Sequence, residues 1–93
     1  MDIDMDTAPK ITQEQINSLI VKTEFYVFPD STLTVCCLTL KNGFKVTGES
    51  SCVSLENFSK TIGEKIAFEQ AREKIWLLEG YLLKNNIART NNG

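Results

Sequence analysis

A chain of 93 residues makes one domain, near the lower limit of what a single hydrophobic core supports. Apolar residues are 42% of it and charged residues 24%, an ordinary globular balance, with a formal net charge of −2. Asp2, Asp4 and Asp6 supply three of the 12 acids, so the body is nearly neutral; this excludes a basic nucleic-acid binder and an acidic mimic of DNA.

The elements read off in chain order. Residues 1–10 are acidic and broken by Pro9, and read as a flexible tail before a single domain over 11–87. Thr12 opens a short helix, because its hydroxyl can cap the first turn while Gln15 reaches back. Ile16, Leu19 and Ile20 then give one apolar stripe at helical spacing. Thr23 to Phe28 is aromatic and β-branched and reads as a strand, ended by the turn chemistry of Pro29-Asp30-Ser31. Leu33 to Leu40 is a second strand, Asn42-Gly43 a hairpin signal, and Phe44 to Val53 the returning strand.

A two-residue turn at Asn42-Gly43 sets Thr39 opposite Val46 and Cys37 opposite Gly48. Alternation then places Leu33, Val35, Cys37, Phe44, Val46 and Cys52 on the face expected to meet a helix. The other face is polar, with Cys36, Leu38 and Leu40 as an apolar patch suited to a partner. Beyond it, Ser54 can cap a short turn through Phe58, and Gly63 separates that turn from the main helix. From Glu64, Ala67, Ala71, Ile75, Leu78 and Leu82 keep helical spacing, and Phe68, Trp76, Leu77, Tyr81 and Leu83 widen the stripe. Asn85 and Asn86 begin the helix end, leaving 88–93 as a flexible tail. The fold class is α+β: a three-stranded antiparallel β-meander packed against a long C-terminal helix, with a short N-terminal helix.

Most chemistries fail on composition. The chain has no histidine, so Ser-His and Cys-His nucleophile pairs, zinc protease helices and most acid–base schemes at neutral pH lack their imidazole. Cys36, Cys37 and Cys52 are odd in number, and neighbours on a strand point to opposite faces; small packing residues kept reduced in a cytosol are the better reading. Asp2, Asp4 and Asp6 imitate the opening of a calcium loop, but Thr7 and Gln13 stand where that loop needs Gly and Glu. No phosphate-cradling or dinucleotide Gly-rich turn occurs, so catalytic residues, metal ligands and cofactors are all expected to be none. No apolar run approaches the ~20 residues of a membrane span, and the N-terminus lacks the pattern of a secretory signal.

The segment LTVCCLTLKNGFKVTGESSCV, followed by ENFSKTIGEKIAFEQAREKIWLLEGYLL, resembles a family of small tailed-phage proteins first noted in coliphage and Shigella phage genomes. The resemblance rests on Thr34 to Cys36, Leu40 to Phe44, Val46 to Ser50, Asn57 to Gly63, Ile66 to Ala71 and Trp76 to Leu83. One departure is Leu77, where the family favours proline; losing that kink leaves the helix more continuous. The resemblance implies a phage or prophage origin and expression in the bacterial host cytoplasm, and supplies no catalytic residue.

Three functional classes are consistent with these features. The first is a non-enzymatic accessory protein for host takeover or anti-defence that binds and inhibits a host or defence protein. Leu38, Leu40, Trp76 and Tyr81 are its candidate interface residues, and apolar surface left uncovered by one small sheet makes a homo-oligomer the expectation. The second is an oligomeric sponge for a nucleotide immune signal, with Arg72 for phosphate and Phe44, Phe58, Trp76 or Tyr81 for stacking. A minor place in the virion is a third.

Overall fold

The computed structural model describes residues 10–52 and 59–92. The acidic segment through Pro9, the turn expected from Ser54 and the ligand candidate Phe58 lie outside the described residues. The elements are α1 (Gln13–Leu19), β1 (Ile20–Val27), β2 (Thr34–Leu40), β3 (Lys45–Ser50) and α2 (Lys60–Asn92). The strands form one antiparallel sheet in the order β1-β2-β3, and α2 lies mainly across β3 and β2. The fold is α+β, a meander with a short helix before it and a long one after.

Local signals act where the sequence places them. Thr12 accepts from the Gln15 amide at 3.2 Å while Gln15 Oε1 accepts from the Thr12 amide at 2.9 Å, a complete capping box. The helix it starts is only seven residues long, and Ile20 opens β1 instead of extending the apolar stripe. At Pro29-Asp30-Ser31 the chain turns with Asp30 at φ +55°, a left-handed conformation that Asp tolerates better than most residues.

The hairpin departs from expectation by one residue. A type I′ turn needs positive φ at both central residues, but among the described residues near it only Gly43 has one, at +90°. The Gly43 amide donates to the Leu40 carbonyl and the Leu40 amide to the Phe44 carbonyl, each at 2.8 Å, closing a three-residue loop over Lys41 to Gly43. The register is therefore Thr39↔Lys45, Leu38↔Val46, Cys37↔Thr47 and Cys36↔Gly48. A slip of one residue exchanges the faces of β2. Thr34, Cys36, Leu38 and Leu40 are buried beneath α2, whereas Leu33, Val35 and Cys37 are half-buried and Phe44 is exposed. Leu38 and Leu40 are thus core residues, not the outward patch expected of an interface.

The long helix differs at both ends. Its start is Lys60, not Glu64: Ser59 accepts the Ile62 amide on its hydroxyl at 3.3 Å and the Gly63 amide on its carbonyl at 2.8 Å, the geometry of an N-cap. Gly63 is buried inside the first turns and breaks nothing. The helix continues unbroken past Leu77 and past Asn85-Asn86 to Asn92, over the stretch expected to be a tail. Its 33 residues span about 50 Å at 1.5 Å each, while strands of six to eight residues span roughly 20–27 Å.

That mismatch shapes the molecule. Ala67, Ala71 and Ile75 are fully buried against the sheet with Ile16, Cys36, Leu38 and Val46; Phe68 and Trp76 flank them half-buried. Beyond Ile75, α2 passes the hairpin end of the sheet at Phe44 and runs on beside α1. The radius of gyration is 17.4 Å, against about 12 Å for a compact domain of this length, and the extents are 59 × 26 × 19 Å.

Candidate functional site

Small residues bring α2 down onto the sheet. Gly48 lies directly under Ala67 and Ala71, and a Cβ at Gly48 would collide with the Ala67 carbonyl oxygen and the Ala71 amide nitrogen. The Glu49 amide donates to Gln70 Oε1 at 3.2 Å, fixing the helix along the β3 edge. Clamped there, α2 carries the residues after Ile75 past the end of the sheet.

Those residues are largely apolar. Leu77 is 70% exposed, Tyr81 71%, Leu82 51% and Leu78 42%, and Phe44 at the hairpin is 54% exposed beside them. Phe44, Val46, Leu77 and Leu78 line a groove of about 410 Å³, with Lys45 and Lys74 at its rim. A second groove of about 240 Å³ shares Phe44 and Leu78 and continues to Leu82 and Glu79. A third, of about 350 Å³, separates α1 from the end of α2 between Leu19, Gln15, Leu82 and Asn86. The five apolar side chains form one continuous exposed patch, whereas singly scattered apolar residues would be ordinary on any surface.

The sequence candidates are partly gathered here. Tyr81 belongs to the patch. Trp76 is half-buried against the core on the other flank of α2, at the edge of the buried stripe as its position after Ile75 implies. Arg72 shares that flank, its guanidinium 5.1 Å from the Phe68 ring centre. Helical spacing separates Arg72 from Lys74 and Leu77, the neighbours of Phe44, so Phe44 and Arg72 do not form one ligand site. Leu77, Leu78 and Leu82 are exposed interface candidates that the sequence reading placed in the core-facing or widened stripe. The discrepancy between helix length and strand length is the signal that finds them.

Cys36 is fully buried, and burial first, then the neighbouring Cys37 and Glu64, pushes its thiol up to about 11, so it holds its proton at neutral pH. Among the described residues no group of three His, Cys, Asp or Glu side chains could hold a metal ion, and no helix is long and apolar enough to cross a membrane.

Residues 11–87, from before α1 into the last turns of α2, match the phage protein (N4 Gp49/phage Sf6 gene 66) family. The chain belongs to that family. No curated protein and no solved structure matches it. In this phage protein family member the matched region contains both the clamp at Gly48 and the exposed patch on α2.

Proposed function

We propose that this phage protein is a non-enzymatic accessory factor that binds and inhibits a host or defence protein in the cytoplasm of the infected bacterium. The observation that carries the reading is the overrun of α2 beyond its sheet, which holds Leu77, Leu78, Tyr81 and Leu82 beside Phe44 in solvent. Phe44 beside Leu77 and Leu78, with Lys45 and Lys74 lining the same groove, supplies the aromatic anchor and polar margin that a protein partner uses. The complete lack of histidine weighs the same way, against acid–base catalysis.

The test is affinity capture from expressing bacteria with the wild type and a Leu77→Asp, Tyr81→Asp variant. A bacterial protein held by the wild type and lost by the folded variant supports the reading. Recovery of nothing across several hosts, or of the same protein by both baits, rejects it.

The opposite flank of α2 favours a second reading, an oligomeric sponge for a nucleotide signal. Arg72 over Phe68, with Trp76 one turn further, places a fixed positive charge among ring faces. A nucleotide present at 100 times its dissociation constant stabilises the fold by about 2.7 kcal/mol. A shift in thermal unfolding that disappears in Arg72→Ala supports this reading; no shift across a panel of cyclic and linear nucleotides removes it.

A further inference from the structure

The two edges of the sheet differ. On β3, Gln70 of α2 takes up the Glu49 amide, so the helix occupies part of that edge. The other edge is β1, whose eight residues make it the longest of the described strands, and no described group hydrogen-bonds to its outer side. Six consecutive residues from Val21 to Tyr26 are exposed, because α2 lies over β3 and β2 and leaves β1 open. A long open strand carrying Phe25 and Tyr26 is a template for another strand.

We propose that β1 pairs antiparallel with β1 of a second copy, about a two-fold axis through Thr23, extending the sheet to six strands. The strand sequence IVKTEFYV is self-complementary about that residue. Thr23 faces its own copy and Lys22 faces the partner's Glu24, the unlike pair occurring twice by symmetry. Opposite charges and hydroxyl pairs are favourable across strands; like charges directly opposite are not. Moving the axis to Lys22 or Glu24 sets like charges face to face. Moving it to Phe25 places Lys22 against Phe28 and leaves neither charge an opposite partner.

Within one chain Lys22 Nζ already lies 3.6 Å from Glu24 Oε2 on the outer face, so pairing makes a square of four alternating charges. Lys22 alone would guard this edge against other strands, and only a strand offering Glu at the matching position lifts that guard. The register of β1 shifts between Ile20 and Lys22, which confines the regular ladder to the segment around Thr23 and excludes long, unspecific pairing. The α2 patch stays free in this arrangement.

Two measurements test it on the full chain. In sedimentation at tens of micromolar the wild type is a dimer, and Lys22→Glu or Glu24→Lys alone weakens it roughly tenfold, because each creates two like-charge pairs. The double swap restores the wild-type constant. Independently, Thr23→Cys forms a covalent dimer under mild oxidation, with the disulfide mapped to position 23, since paired strands bring these positions to about 4.5–5.5 Å. All three positions are exposed, and circular dichroism confirms folding of each variant. A monomeric wild type, a dimer indifferent to either single swap, or folded Thr23→Cys that does not cross-link overturns the proposal.

Discussion

Gly48 of β3 and Ala71 of α2 meet backbone to backbone. The space a Cβ would need at Gly48 is taken by the Ala71 amide nitrogen and the Ala67 carbonyl oxygen, neither of which can rotate away. This contact sets the height of α2 over the sheet, and with it the depth at which Ile75 is buried and the point at which Leu77 emerges.

Gly48→Ala must therefore lift the helix. We expect a loss of about 1–3 kcal/mol, the range for overpacking, and at the upper end because backbone is displaced. Chemical denaturation measures it, and a midpoint equal to the wild type would mean that α2 does not press on Gly48.

Ile75 and Tyr81 lie on one helix and answer differently. Ile75 is fully buried, so Ile75→Ala loses about 2–5 kcal/mol. Tyr81 is 71% exposed, and Tyr81→Ala should stay within about 0.5 kcal/mol while impairing capture of a partner. Equal destabilisation by both would place Tyr81 in a core.

Gly80 lies inside α2, and a Cβ there meets nothing within 4 Å. Gly80→Ala should raise stability by up to about 1 kcal/mol, by removing the entropy cost of glycine in a helix. A loss of stability, or of self-association, would show that another chain packs against this turn.

Cys36 makes stability depend on alkaline pH. In the unfolded chain its thiol ionises near the ordinary value of 9.0, whereas burial raises the folded value to about 11. Its contribution is complete below pH 9 and is lost as the pH climbs from 9 to 11, because only the unfolded chain releases the proton there. Cys36→Ala is less stable than wild type at pH 7 and should close that gap across the same window. In the folded protein Cys36 should also react with an alkylating reagent more slowly than half-buried Cys37; the reverse order would refute its burial.

The sequence by itself determined what is local or periodic. Thr12 and Gln15 cap α1 because the capping box needs only four residues. Pro29 to Ser31 and Asn42-Gly43 turn the chain through their own φ preferences, and Ala67, Ala71 and Ile75 mark one helix face by spacing alone. The lack of histidine narrowed the chemistry before any fold was known.

Only the tertiary structure decided which face of the sheet is inside. Asn42-Gly43 is compatible with a loop of two residues or three, a choice worth little locally. Across the sheet, however, that one residue decides whether Cys36, Leu38 and Leu40 or Val35 and Cys37 join Val46 and Gly48 under α2. The three-residue loop sets Cys36 beside Gly48, the residue beneath Ala67 and Ala71 where the helix approaches closely. Leu78 and Leu82 continue the spacing of Ala71 and Ile75, yet they stand in solvent because burial depends on how far the sheet extends, and the strands end before the helix does.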